Sequence, residues 1–141
     1  MNNVSTLVAV FDKNMENLLF CRRTKNPYKG KLNFVGGKKN YCGHDIHCAY
    51  REFREETGIM SNHINMVKIM NINYSFPSLA LAVFSCVLDS HADDIELKEE
   101  MNPLLWIPVH GTNFFDTDKF AGDGNIGLIV NESLKYWKAD K

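Results

Sequence analysis

The feature that most constrains the fold is a predicted helix that carries a crowded acidic face. Between residues 45 and 57, apolar side chains recur at intervals of three and four, which is typical of a helix with one buried face: Ile46, Ala49, Tyr50 and Phe53. Asp45 or His44 is suited to cap its start, and Gly58 is suited to end it in the left-handed conformation. The chain must therefore place this helix with one face on a core.

Three carboxylates share another face of the same helix. Because a helix advances about 100° per residue, Glu52, Glu55 and Glu56 lie within an arc of roughly 100°. Like charges at this spacing repel each other by a few tenths of a kcal/mol per pair. A hard divalent cation with oxygen ligands relieves that repulsion, so the pattern indicates a metal site.

A solvated acidic face is the alternative interpretation of these carboxylates. Arg51 and Arg54 are available to balance the charge, and charge runs usually face water. The position of the helix favours the metal site, because it follows Gly36, Gly37 and Lys38. We predict a flexible loop from Gly36 to Gly43, beside which a phosphate can approach the carboxylates.

The rest of the chain predicts a mixed sheet between two helices, an α/β (α+β) architecture. A second amphipathic helix is predicted near the end, where apolar residues from Ile126 to Trp137 follow helical spacing. The run from Leu79 to Leu88 is almost continuously apolar, as expected of a strand covered on both faces. The strand candidates are Val4–Phe11, Leu18–Cys21, Val67–Phe76, Leu79–Leu88 and Leu104–Val109, with a short apolar stretch at Leu32–Val35.

Size and charge exclude several classes of protein. The 141 residues fit one domain spanning 1–141, and a net charge of −1 supplies no basic field for a nucleic-acid polymer. The four cysteines lack the spacing of a zinc site, which predicts a reduced protein. The first residues resemble neither a signal peptide nor a membrane span, so we expect a cytoplasmic protein without a membrane partner.

A glycine pattern before the last helix matches a dinucleotide fingerprint in form alone. Gly122, Gly124 and Gly127 spell G-x-G-x-x-G, but 14 residues follow, too few for the strand and ribose-binding acid that the fingerprint needs. We interpret these glycines as a turn into the helix.

The segment from Gly37 to Ile59 resembles the Nudix box, G-x5-E-x7-R-E-U-x-E-E-x-G-U, in which U is bulky and apolar. The matching residues are Gly37, Arg51, Glu52, Phe53, Glu55, Glu56, Gly58 and Ile59. One position departs, since Gly43 stands where the motif has its first glutamate.

The resemblance implies a Nudix α/β/α sandwich that hydrolyses a nucleoside diphosphate linked to another group, with Mg²⁺ or Mn²⁺ as cofactor. By the same resemblance, Glu52, Glu55 and Glu56 hold the metal at a site that includes Gly37, and one glutamate also serves as general base. Arg51 then orients the glutamates.

Further stretches resemble the MutT-like 8-oxo-dGTP diphosphatases. The stretches are Lys31–Lys38, Glu99–Pro103 and the later Trp106. This likeness implies a nucleotide substrate, converted as a triphosphate to the monophosphate and pyrophosphate, with an oxidised purine as one candidate. The residues that it assigns to the site are Asn33, Phe34 and Lys38 at the substrate, Glu100 at the metal, and Phe120 and Asp123 at the base.

Two alternatives to this function remain open at this point. The same chemistry can serve ADP-ribose, a dinucleotide or a nucleotide sugar. A second alternative is a Nudix domain that binds a nucleotide without turnover, because Gly43 has replaced the motif glutamate. The expected assembly is a monomer or a homodimer.

Overall fold

The computed structural model describes residues 3–38, 44–60, 64–74, 79–99 and 102–139. In chain order, these residues form β1 (Asn3–Phe11), β2 (Asn17–Arg22), β3 (Leu32–Asn33), β4 (Val35–Lys38), α1 (Asp45–Thr57), β5 (Val67–Tyr74), β6 (Leu79–Val87), β7 (Leu104–Pro108) and α2 (Asn125–Ala139). Both predicted helices are confirmed, and α1 has the bounds that the sequence predicts.

The strands form one mixed sheet with β1 near its centre. β1 runs parallel to β6 over its whole length, from the pair Asn3 and Leu79 to the pair Phe11 and Val87. Its other edge pairs antiparallel with β4 and, at one point, with β2. The sheet continues as β2 to β3 and β7 on one side and as β6 to β5 on the other. The predicted mixed sheet is therefore confirmed.

The two helices cover opposite faces of this sheet, as an α/β/α sandwich requires. Ala49 and Phe53 of α1 pack on one face, with a buried cluster completed by Val8, Val10, Leu19, Val35, Met66, Ala82, Phe84, Cys86 and Leu88. Ile126, Ile129 and Val130 of α2 pack on the other face, with a cluster that includes Ala9, Phe11, Leu18, Phe20, Phe34, Val83 and Phe120. Successive residues of β1 alternate between the two clusters, as the pleat of a strand dictates.

The two glycines predicted to lie in a loop instead belong to a strand, so that prediction is wrong for Gly36 and Gly37. Both residues lie in β4, where Gly37 pairs with Thr6 of β1 and Gly36 pairs with Leu7. A Cβ atom on Gly36 would stand 1.9 Å from the carbonyl oxygen of Thr6. The missing side chain thus permits a close approach of two strands. Residues 39–43 of the predicted loop, Gly43 included, lie outside the described residues.

The cysteines depart in part from the expected reduced state. Cys21 and Cys86 are free and buried, but Cys48, which is also buried, is disulfide-bonded. The prediction of reduced cysteines is therefore wrong at Cys48. Cys42 lies outside the described residues.

Within the described part of the chain, neither helix is long and apolar enough to cross a membrane.

Candidate metal and nucleotide site

The end of α1 is fixed by hydrogen bonds that set the orientation of its acidic face. Gly58 adopts a left-handed φ of 75° and donates its backbone N–H to the carbonyl of Arg54. The hydroxyl of Thr57 is buried, donates to the carbonyl of Phe53 at 2.6 Å and accepts from the N–H of Ile59 at 3.1 Å. At the other end, His44 is the N-cap residue but makes no side-chain cap hydrogen bond. The helix is therefore anchored chiefly by its buried face and its C-terminal turn.

Strand β4 lies directly against the acidic face of α1. A Cβ atom on Gly37 would stand 2.5 Å from the carboxyl carbon of Glu52. The N–H of Gly36 donates to Oε2 of Glu56 at 3.3 Å. The hydroxyl of Thr6 donates to the carbonyl of Gly37 at 3.3 Å and ties the strand to β1. Glu52 thus occupies the space beside Gly37 that a side chain would fill, and Glu56 is held by the backbone of Gly36.

Arg51 contacts two of the three glutamates. Its Nη2 lies 3.1 Å from Oε1 of Glu52, and its Nε lies 4.0 Å from Oε1 of Glu55. The side chain of Glu52 is 16% exposed, whereas that of Glu55 is 57% exposed. Arg51 therefore contacts two of the glutamates that the resemblance expects it to orient, and its orienting role stays a prediction.

The carboxyl group of Glu56 has a raised pKa. Its pKa is raised from 4.5 to about 7, chiefly by burial and to a lesser degree by the charges of Glu52 and Glu55, while the hydrogen bond from Gly36 opposes the rise. A carboxylate in such surroundings favours either a proton or a bound cation.

The donor chemistry of this face suits a hard divalent cation. Glu52, Glu55 and Glu56 offer six carboxylate oxygens on one helix face, and burial disfavours the ionised form of Glu56 while no cation is bound. In the described residues, no three acidic, histidine or cysteine side chains already converge as a complete ligand set. Glu100, the additional predicted ligand, lies outside the described residues.

Asn33 lies on the strand that leads into β4. Its side-chain oxygen accepts the backbone N–H of Phe34 at 2.8 Å, which directs the amide nitrogen away as a hydrogen-bond donor. The four steps along the extended chain from Asn33 to Gly37 span roughly 13 Å. A nucleoside with its phosphate chain can bridge such a separation, so the predicted base and phosphate regions are compatible.

The two predicted aromatic contacts lie inside the core. Phe34 is 2% exposed and Phe120 is 3% exposed, and both rings pack against Phe20. Neither ring is open to a ligand in this structure, so stacking of Phe120 on a base stays a prediction. Lys38 ends β4, and its side chain is outside what the structure describes.

Asp123 is exposed and belongs to a polar cluster that the sequence did not indicate. Its Oδ2 accepts the hydroxyl of Tyr28 at 2.7 Å, and nearby the amide of Asn125 donates to the hydroxyl of Tyr74. These residues come from three distant segments and form no sequence motif, so only the tertiary structure brings them together.

Comparison with known proteins identifies the domain type. The NUDIX domain model matches residues 1–123. No curated protein matches the sequence.

Solved structures share the fold at low sequence identity. A MutT/nudix family protein from Enterococcus faecalis superposes with a TM-score of 0.74 at 14% identity, covering 92% of this chain and 60% of that chain. The present chain thus spans 60% of the length of that relative. The C. elegans Ap4A hydrolase gives a TM-score of 0.72 at 14% identity, with 97% and 99% covered. The NUDIX domain of Shewanella oneidensis NrtR, solved with ADP ribose, gives 0.71 at 10% identity, with 97% and 89% covered.

Proposed function

Because the chain belongs to the NUDIX domain family, we propose that it hydrolyses a nucleoside triphosphate to the monophosphate and pyrophosphate with Mg²⁺ or Mn²⁺. The predicted Nudix family and Nudix fold are confirmed, and the pyrophosphohydrolase activity is part of the proposal. The triphosphate substrate, with an oxidised purine among the candidates, is the finer part of the proposal. The proposal also assigns the protein to the cytoplasm, as a monomer or homodimer.

The observation that carries the proposal is the packing of the acidic face of α1 on two glycines. The carboxylate of Glu52 lies where a side chain on Gly37 would stand, and the carboxylate of Glu56 accepts the backbone N–H of Gly36. A merely solvated acidic face would need no such space, and it would not bury Glu56 enough to raise its pKa to about 7. This packing favours a metal site over the solvated alternative.

The residues of the site supply binding and proton transfer. Glu52, Glu55 and Glu56 would hold the cation, and Arg51 keeps Glu52 in place. When bound, the metal would neutralise charge on the diphosphate oxygens and lower the pKa of the attacking water. A carboxylate of the same face accepts the proton of that water, and Asn33 donates its amide N–H to an acceptor on the base.

Activity assays on glutamate variants test the metal face. Glu55→Gln and Glu56→Gln should each lower kcat at least tenfold, because a neutral amide binds a divalent cation more weakly than a carboxylate does. We would incubate each protein with Mg²⁺ and a nucleotide panel, and measure phosphate and pyrophosphate separately. Glu132→Gln, on the far helix α2 and paired with Lys135, is the matched control. Parent rates in both site variants would refute the metal assignment.

A second candidate keeps the chemistry and changes the substrate to ADP-ribose or a dinucleotide. It is favoured by the likeness to an Ap4A hydrolase and to a domain solved with ADP ribose. Chromatography of the reaction products separates the candidates, because a triphosphate releases inorganic pyrophosphate, whereas ADP-ribose yields two phosphate monoesters and neither inorganic phosphate nor pyrophosphate. A parent protein that binds nucleotides in calorimetry but turns none over would instead identify a silent binding domain.

A further inference from the structure

An unusual pair of residues joins two loops beside the proposed base site. Tyr28 donates its hydroxyl to Oδ2 of Asp123 at 2.7 Å, although 95 positions separate them in sequence. Both residues hold a left-handed backbone, with φ of 65° at Tyr28 and 54° at Asp123. This conformation is uncommon for residues other than glycine, least so for aspartate, and it persists at a tyrosine only where the surroundings impose it. The pair therefore unites two strained positions of the chain.

The loop that carries Tyr28 is braced by its own hydrogen bonds. The N–H of Gly30 donates to the carbonyl of Arg23 at 2.8 Å, and the N–H of Lys31 donates to the carbonyl of Tyr28 at 2.9 Å. The guanidinium of Arg23 donates to the carbonyl of Pro27 at 2.6 Å. The position of the phenol is thus set by its loop as well as by its contact with Asp123.

The turn that carries Asp123 is held against the strand of Asn33. Leu32 of β3 accepts the N–H of Ala121 at 2.8 Å and donates its own N–H to the carbonyl of Lys119 at 2.8 Å. Asp123 follows Ala121 by two residues, and Asn33 follows Leu32 by one. The two hydrogen bonds of Leu32 therefore place Asp123 and Asn33 on neighbouring segments of the chain.

The hydrogen bond from Tyr28 engages one of the two carboxylate oxygens of Asp123. The hydrogen bond to Asp123 raises the pKa of Tyr28 above its usual value, so the phenol remains a donor at neutral pH. With Oδ2 occupied, Oδ1 of Asp123 is the oxygen left to accept an N–H group from a ligand. On the neighbouring strand, the Asn33 amide nitrogen is a donor.

We propose that Tyr28 is a specificity-determining residue that acts through Asp123, fixing its carboxylate so that it accepts an N–H group from the edge of a purine base. The inference rests on the proposed nucleotide substrate. Asn33 donates a hydrogen bond to an acceptor of the same base. Asp123 therefore recognises a hydrogen-bond donor of the base, and Asn33 recognises an acceptor. Loss of the phenol frees the carboxylate to rotate, and selectivity among bases falls while the chemistry at α1 is unchanged.

Kinetics of Tyr28→Phe across a base panel test this role. We expect KM for the preferred purine nucleotide to rise about fivefold to tenfold, with kcat within twofold of the parent value. The ratio of kcat/KM for purine over pyrimidine nucleotides should fall by a similar factor. Tyr136→Phe, an exposed tyrosine of α2, is the matched control and should change neither parameter. An equal rise of KM for every base would show a structural brace and overturn the proposal.

Measuring the binding of nucleoside monophosphates provides a second test, which does not depend on turnover. Calorimetry on the parent, Tyr28→Phe, Asp123→Asn and the double variant forms a double-mutant cycle. We expect each single variant to weaken purine binding about tenfold and the double variant to weaken it no further. Independent, multiplicative losses would overturn the inference even if the enzyme were active. A parent without turnover would refute the proposed function, while this cycle would still decide the role of Tyr28.

Discussion

Gly36 and Gly37 are adjacent, and a side chain at either position would clash with its surroundings. The neighbours that it would meet differ between the two positions. A Cβ on Gly36 would meet the backbone carbonyl of Thr6 at 1.9 Å, which cannot move without breaking the sheet. A Cβ on Gly37 would meet the carboxylate of Glu52 at 2.5 Å, which is the far end of a flexible side chain. The absence of a side chain at Gly36 therefore permits β1 and β4 to pair. Its absence at Gly37 leaves room for the carboxylate of Glu52, a proposed metal ligand.

The two alanine variants should separate these effects. Gly36→Ala should destabilise the protein by more than about 2 kcal/mol, because strands β1 and β4 must part. Gly37→Ala should unfold at nearly the parent temperature and lose at least tenfold in kcat, because Glu52 is displaced. Thermal unfolding and steady-state kinetics on both variants give the comparison. Parent kcat in Gly37→Ala would show that the position of Glu52 does not matter to the reaction.

At the scale of elements, local patterns sufficed for the helices and failed for the glycine strand. The spacing of Ala49 and Phe53 and the stop at Gly58 predicted α1 correctly, since both signals are local. Gly36 and Gly37 have low strand propensity, and their pairing with β1 depends on contacts some thirty residues away. The cluster of Tyr28 and Asp123 was missed for the same reason, because no local pattern records it.

A buried hydroxyl group on β6 forms a hydrogen bond with helix α2. Removal of that hydroxyl tests how much the contact stabilises the fold. Ser85 of β6 accepts the indole N–H of Trp137 at 3.0 Å and donates to the carbonyl of Ala9 at 2.9 Å. Ser85→Ala should lower the free energy of unfolding by about 1–3 kcal/mol, because the indole N–H loses its partner. Urea denaturation measures the loss. Ser90→Ala, in a loop outside this contact, is the control, and equal stability of the two variants would contradict this stabilising role.

At the scale of the whole molecule, the acidic face couples stability to pH and to metal. The folded pKa of Glu56 is about 7, above its ordinary 4.5. The stabilisation from keeping this carboxyl protonated is complete below pH 4.5, and it is lost as pH rises through about 7. Without metal, ionisation of Glu56 at high pH therefore lowers the free energy of unfolding of the protein.

A bound cation should remove that cost, so the effect of metal on Tm should depend on pH. Millimolar Mg²⁺ should raise Tm by several degrees at about pH 8, where Glu56 is ionised, and by much less at about pH 5.5, where a proton must first leave. In metal-free buffer at about pH 8, Glu56→Gln should melt above the parent, because it carries no desolvated charge, and it should gain less from Mg²⁺. Scanning calorimetry of both proteins, with Ca²⁺ and a chelator as controls, measures the four combinations of pH and metal. An equal rise of Tm at both pH values, or an equal rise in parent and variant, would place the bound cation away from Glu56 and contradict the assignment of this face as the metal site.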